Sequence, residues 1–220
     1  MKSLVLLAVL AVGFANAEYC YDESVTACSS TANKEDLPHC NALYSGFHTV
    51  AADLSSYVKR EVLYSYDYLL MSTHFGNYEK NRVGFEKLFK GLSDKSWENA
   101  INVIKYITKR GGTVDFQTTH NVNTTRVAET SELESLARAL ENEKVLAKDV
   151  QAIHKRVSNS GHNNDRHDAE TASYLEEKFA HKQANTIRQL SGYTNDLKKL
   201  IKDSEPSLAL YLFDEYLQKA

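Results

Sequence analysis

The chain has 220 residues, 42% of them hydrophobic and 25% charged, with a formal net charge of −3, which is the composition of an ordinary globular protein of one domain or at most two. Two prolines and nine glycines are too few turn formers for a many-stranded sandwich or for low-complexity disorder, so the fold class is predicted to be all-α. A charge near neutrality without a basic block lacks the footprint of a nucleic-acid-binding protein.

Met1 and Lys2 precede an apolar run from Leu4 to Phe14 that ends in Ala15-Asn16-Ala17. A basic start, a short hydrophobic stretch and a small-x-small site predict a cleavable signal peptide over 1–17, too short to span a bilayer. No later segment is apolar for long enough to cross a membrane, so a soluble product of the secretory pathway is expected. That compartment permits disulfides, and Cys20, Cys28 and Cys40 all fall in 18–44, a stretch without sustained period that is read as an extended, disulfide-bearing N-terminal extension. Three thiols leave two outcomes open: one internal bridge with the third thiol bonded to another chain, or a single unpaired, buried cysteine. Zinc is disfavoured, because no second Cys/His pair stands at finger spacing.

From 45 onward the pattern is helical. Phe47, Val50, Leu54, Val58, Glu61, Ser65, Tyr68, Ser72 and Phe75 recur at steps of three and four, predicting one face of a helix over about 45–76. A second stripe, Phe85, Phe89, Leu92, Ser96, Asn99, Val103 and Tyr106, ends at Arg110-Gly111-Gly112. The glycines supply a left-handed stop, and Lys109 and Arg110 suit the negative end of the helix dipole. Thr113 to Val127 has no helical period and reads as a long connection. The third stripe runs through Glu129, Leu133, Leu136, Leu140, Glu143, Ala147, Val150, His154 and Val157, and a turn follows at Ser158-Asn159-Ser160-Gly161. The fourth, over about 167–202, contains Phe179, Gln183, Ile187, Leu190, Thr194 and Leu197, and Pro206 opens a short amphipathic tail from Ser207 to Leu217. Helices of this length extend about 45 Å. Two helices, a long link, two more helices and a short fifth describe a four-helix bundle with one crossover over 45–220.

Polar residues interrupt these stripes. Glu61 lies between Val58 and Ser65, and Glu143 between Leu140 and Ala147. An ionised carboxylate inside a bundle needs a partner charge, a metal or a proton, and carboxylates on facing helices are how bundles hold two metal ions. Tyr68 shares the face of Glu61, and Gln183 is placed to add an oxygen. The simpler alternative is satisfaction by a lysine, a tyrosine hydroxyl or trapped water. A working di-iron site also needs a Glu-x-x-His pair, and the corresponding positions hold Ser96 and Asn99, poor iron ligands.

These motifs resemble the ferritin family. Arg60-Glu61-Val62-Leu63-Tyr64-Ser65-Tyr66-Asp67-Tyr68-Leu69 is similar to its first-helix motif and Lys109-Arg110-Gly111-Gly112 to its second-helix terminus. Ala139-Leu140-Glu141-Asn142-Glu143-Lys144 is similar to the third-helix motif and Leu208-Ala209-Leu210-Tyr211-Leu212-Phe213-Asp214 to the approach to the fifth helix. The match covers roughly 45–220 in unbroken order, and the signal peptide with N-terminal cysteines resembles the secreted ferritins of insects, built from heavy-type and light-type subunits. The resemblance implies a 24-subunit shell holding ferric iron, with Glu61, Tyr68, Glu143 and Gln183 at positions of the heavy-type ferroxidase centre. Ser96 and Asn99 fall where that centre has its bridging Glu and its His. The chain is therefore expected to be a light-type subunit, not itself an enzyme, with iron oxidation supplied by a heavy-type partner and the spare thiol a candidate cross-link to it. The alternatives are a slow ferroxidase on a degenerate site at Glu61 and Glu143, and a secreted helical carrier or signal that does not assemble.

The resemblance also places Glu176 at a carboxylate of the three-fold iron channel and Ser173 where that channel has an Asp. Lys95, Glu98 and Ile101 occupy much of the patch where light-type chains nucleate mineral, so nucleation is not expected from this chain. Asn123-Thr124-Thr125 is an N-glycosylation sequon on the long connection. His162 and His167, with Asp165 between them, read as a solvated corner between helices.

Overall fold

The computed structural model describes residues 20–27, 39–116, 131–159, 167–203 and 205–219. The signal peptide, Cys28, Asn123, Glu129, His162 and Asp165 lie outside the described residues. The chain divides into two compact units, Met1–Ala42 and Leu43–Ala220. In the first, a short helix α1 (Cys20–Ala27) is tied by a disulfide between Cys20 and Cys40. The Glu23 carboxylate there accepts the His39 backbone N–H at 2.9 Å and pairs with its ring.

The second unit is built from helices, and no strand occurs among the described residues. After a 3-10 turn at Ser45–Thr49 come α2 (Ala51–Phe75), α3 (Val83–Lys109) and α4 (Glu132–Ser158). A fourth long element follows: α5 (Ala169–Leu175), a π turn (Glu176–Ala180) and α6 (His181–Asp203), and α7 (Pro206–Lys219) ends the bundle. Helix α2 packs chiefly on α3 and α4 on α6, the two pairs meet through α2 and α4, and α7 lies against α3 and α6.

Every residue of the first stripe is buried, but the α-helix starts at Ala51, because Ser45 at φ 56° and the 3-10 turn interrupt the period. Helix α4 starts three residues later than its stripe. Ser131 and Glu134 form a capping box that fixes the first turn there, the Ser131 hydroxyl accepting the Glu134 N–H and the Glu134 carboxylate accepting that of Ser131. Its most buried residues are Leu136, Ala139, Glu143, Leu146, Val150, Ile153 and Val157, whereas Leu133, Leu140, Ala147 and His154 are half-buried. A helix that touches both α2 and α6 buries a face wider than one stripe.

Two ion pairs fix the direction of the helices. Arg82, just before α3, meets Glu132 at the start of α4 at 3.3 Å. At the other end Arg110, just after α3, meets Asp168 at the start of α5 at 2.7 Å, and the Asp168 N–H donates to the Val157 carbonyl near the end of α4 at 3.0 Å. Helices α3 and α4 therefore run parallel, so the chain leaves α3 at one end of the bundle and joins α4 at the other, the one-crossover arrangement.

Arg110 is not the solvated dipole partner its position suggests but is 1% exposed. Its guanidinium also donates to Glu170 at 2.6 Å, the Tyr106 hydroxyl at 3.1 Å and the Tyr44 carbonyl at 3.1 Å, and it lies 4.0 Å above the Tyr44 ring. Burial alone would lower its proton affinity, but hydrogen bonds to Asp168 and Glu170 outweigh that and raise it. Burial likewise works against ionised Asp168, yet Arg110 holds that carboxyl below the usual range. The left-handed stop falls on Gly111, at φ 78°.

At the opposite end Asp214 of α7 docks onto the first turn of α3. Its Oδ1 accepts the N–H groups of Gly84 at 2.9 Å and Phe85 at 3.1 Å, two donors that a helix N-terminus otherwise leaves unpaired. A Cβ on Gly84 would stand 2.1 Å from the Asp214 carbonyl oxygen, so the contact requires glycine. Asp214→Ala is expected to lose about 2 kcal/mol of stability and to expose the Gly84 and Phe85 amides to hydrogen exchange, with Asp214→Asn retaining part of both. Unchanged exchange at these amides would show that α7 is held by its apolar contacts alone.

Candidate functional site

Two apolar clusters fill the bundle, one containing Tyr57, Val58, Ala100, Leu146 and Phe179, the other Tyr68, Leu92, Ala139 and Leu190. Between them every long element brings in a buried polar side chain: Glu61 from α2, Ser96 from α3, Glu143 from α4 and Gln183 from α6, with Ser65, Ser93 and Asn142 also buried on these helices. The sequence-predicted residues thus gather in a single polar layer, with Asn99 half-buried at its edge.

A tyrosine hydroxyl serves each carboxylate. Tyr57 donates to Glu61 Oε1 at 2.6 Å, and Tyr68 donates to Glu143 Oε1 at 3.2 Å. The Asn99 amide adds a second donor to Glu61 Oε1 at 3.2 Å, and Gln183 Nε2 donates to the Tyr57 hydroxyl at 2.9 Å. Lys95 on α3 donates to the Thr186 hydroxyl of α6, and its charge favours ionised Glu143. Sequence reasoning missed Tyr57, although a tyrosine one helical turn before an inward glutamate is positioned to reach it.

Burial dominates the proton affinities. It raises Glu61 from an ordinary 4.5 to about 7, with the Glu143 charge pushing the same way and the polar groups of Tyr57, Ser96 and Asn99 offsetting part. Glu143 is raised too, again by burial, against which Lys95 and Tyr68 act. Both tyrosines lie well above the ordinary phenol value, chiefly through burial and then the nearby carboxylates. Burial therefore favours the neutral form of both carboxyls within this hydrogen-bonded network.

The fit to iron is incomplete. Glu61 Oε2 and Gln183 Oε1 are buried oxygens without a hydrogen-bond partner, so two acceptors point into the layer. Ser96 and Asn99, however, bring a hydroxyl and an amide donor, which are poor iron ligands. Among the described residues no group of three or more His, Cys, Asp or Glu side chains gathers as a metal site. The donor set does not fit a di-iron centre.

The other predicted residues lie elsewhere. Ser173 on α5 and Glu176 at the start of the π turn are exposed. Lys95 and Ile101 are half-buried and Glu98 is exposed. The His167 carbonyl accepts a hydrogen bond from the Ser45 hydroxyl. No described helix is long and apolar enough to cross a membrane.

Fold and layer define the class: a four-helix bundle with one crossover, a short fifth helix and a polar centre shared by all four long elements. A model of the ferritin-like domain matches residues 51–200. The chain is 48% identical to the ferritin light chain of Drosophila melanogaster over 207 residues, covering 92% of this chain and 90% of that one. It is 46% identical to the ferritin light chain of Trichoplusia ni, covering 100% and 99%, while the ferritin heavy chain of that species is 32% identical over 162 residues, covering 73% and 75%. The crystal structure of Trichoplusia ni secreted ferritin superposes with a TM-score of 0.83 at 46% identity, covering 93% of this chain and 100% of that one. The chain belongs to the ferritin family, as a light-chain-like subunit homologous to insect secreted ferritin.

The raised Glu61 carboxyl has a consequence for stability. Between pH 4.5 and about 7 the folded chain binds more protons than the unfolded one, so stability falls as pH rises through that window, and the cost is complete above it. Glu61→Gln is neutral throughout. Its stability relative to the parent should rise from pH 5 to pH 8 by on the order of 3 kcal/mol, read by chemical denaturation. An advantage that does not change with pH would mean that Glu61 is ionised in the native state at neutrality.

Proposed function

We propose that the chain is the light-type subunit, without a complete ferroxidase centre, of a secreted 24-subunit shell that stores and transports ferric iron, with oxidation supplied by a heavy-type partner. The observation that carries this reading is the polar layer: it holds Ser96 and the Asn99 amide at the positions for which the resemblance implies a third carboxylate and an imidazole, and Tyr57 and Asn99 already occupy Glu61 Oε1. Removing a residue that merely orients a metal ligand costs roughly 10- to 100-fold, and two missing ligands cost more. The similarity to both a light and a heavy chain of one insect species supports a two-subunit particle. The Glu176 carboxylate supplies one ring of charge for cation entry, with Ser173 contributing none, and of Lys95, Glu98 and Ile101 only Glu98 offers a carboxylate for mineral nucleation.

Purified protein lacking the heavy-type partner is expected to oxidise Fe(II) no faster than buffer, measured by oxygen consumption, and Ser96→Glu with Asn99→His to gain activity. Rapid turnover abolished by Glu61→Ala would refute the light-type assignment. The unpartnered Glu61 Oε2 and Gln183 Oε1 favour a second reading, a slow ferroxidase on a degenerate di-iron site at Glu61 and Glu143, in which the parent exceeds buffer modestly and Glu61→Ala removes the excess.

The unit Met1–Ala42 belongs to the same proposal. Residues 1–17 act as the signal peptide and Asn123 as a glycan acceptor. With Cys20 bridged to Cys40, Cys28 is the thiol left for the heavy-type chain. Non-reducing mass spectrometry of the secreted particle should find Cys28 in a mixed disulfide with a peptide of the partner. Free Cys28 throughout the particle would overturn the cross-link.

A further inference from the structure

A groove of about 500 Å³ opens between α3 and the α5–α6 element, outside the polar layer except where Asn99 touches both. Two lysine pairs face each other across it: Lys105 and Lys109, one turn apart on α3, and Lys178 and Lys182, one turn apart where the π turn joins α6. One carboxylate lies among them, Glu170, and it is already engaged by the Arg110 guanidinium and the Tyr106 hydroxyl. Lys178 pairs with its neighbour Glu177 at 2.6 Å. Among the described residues no ion pair involves Lys105, Lys109 or Lys182, although the Lys182 charge also favours ionised Glu177. The rings of Tyr106 and Tyr174, stacked 3.9 Å apart, form an apolar wall, and the Tyr174 hydroxyl is occupied by the Asn102 carbonyl at 3.1 Å.

Like charges at i,i+4 destabilise a helix, and here two such pairs converge on one concavity. A cleft of one sign with low-dielectric walls concentrates the opposite charge. The lysine ammoniums present freely rotating donors, which suit a phosphate oxyanion rather than a planar bidentate carboxylate. We propose that this groove binds phosphate, either the free anion or the phosphoryl group of a larger molecule. The site needs only α3, α5 and α6 of a single chain, so it does not rest on the assembly or the partner described above.

The test is isothermal titration of the purified full-length processed protein with inorganic phosphate and, separately, with ATP at low ionic strength. Binding of inorganic phosphate identifies the free anion, and binding of ATP alone identifies a phosphoryl group on a larger molecule. Lys105→Gln with Lys182→Gln should weaken binding by roughly tenfold, while Lys198→Gln with Lys199→Gln, on an exposed face of α6, should leave it unchanged. If the first double variant does not fold, Lys109→Gln with Lys178→Gln reads the same groove. The proposal is overturned if neither ligand binds, or if the control pair weakens binding as much as the groove pairs do.

Discussion

The buried Arg110 guanidinium is the constraint on which the bundle's geometry turns. Three separate stretches of chain supply its partners: Tyr44 before α2, Tyr106 in α3, and Asp168 and Glu170 at the start of α5. Net stabilisation from such a pair is small, because desolvation takes back most of the Coulombic gain, but losing one partner leaves an uncompensated buried charge at a cost of about 3–5 kcal/mol. The cluster therefore acts mainly by excluding alternatives. Any register of α5 that removes Asp168 from Arg110 strands a guanidinium in the core. Asp168 also caps α5 by accepting the Thr171 N–H at 3.0 Å, so the residue that neutralises Arg110 also sets where the fourth long element begins.

From that fixed start the π turn carries the register to the polar layer. Thr171, Leu175, Phe179 and Gln183 are all buried and four residues apart, yet on an α-helix of 3.6 residues per turn each such step drifts by about 40°. The wider π turn at Glu176–Ala180 takes the drift back, so Phe179 meets the Tyr57 ring at 5.7 Å and Gln183 reaches the Tyr57 hydroxyl. Without the turn, Gln183 would rotate out of the layer and the Tyr57 hydroxyl would lose its second partner. The ion pair at the end of the bundle and the hydrogen bonds at its centre are thus linked through one helical element.

Legibility in the sequence followed periodicity. The long helices, their order, the crossover and the inward positions of Glu61, Ser96, Glu143 and Gln183 can all be read from steps of three and four, because burial of an amphipathic face is a local property of the chain. Arg110 and Asp214 escaped for the opposite reason. A charged residue at a helix end, such as Arg110, or within a short amphipathic helix, such as Asp214, reads as solvated, and only the return of Asp168, 58 residues later, or the docking of α7 onto Gly84 buries it. The capping box at Ser131 and Glu134 was present as Ser-x-x-Glu but was masked by an apolar period extending past it. The π turn has no compositional mark in Glu-Glu-Lys-Phe-Ala, since a single residue's shift in hydrogen bonding depends on what the helix packs against.

The polar layer shows how a bundle keeps carboxylates in its core when its donor set does not suit metal. A cation would neutralise Glu61 and Glu143 by direct charge; here burial raises the proton affinity of both carboxyls, and the same task is divided among two phenol hydroxyls, the Asn99 amide and the Lys95 charge. Each of these presents its positive end to a carboxylate, so each lowers the attraction that a carboxylate would otherwise exert on an incoming cation. Asn99 bears on this most directly. Its side chain donates to Glu61 from the position where the resemblance puts an imidazole acceptor, and the same residue lines the groove with Lys105, Lys109, Lys178 and Lys182. Toward Glu61 the Asn99 amide offers a donor and toward the groove four lysines offer positive charge, although Glu61 Oε2 and Gln183 Oε1 remain unpartnered acceptors in the layer. The donors around the layer and the lysines that line the groove therefore act in one electrostatic direction, lowering the attraction of this part of the bundle for cations.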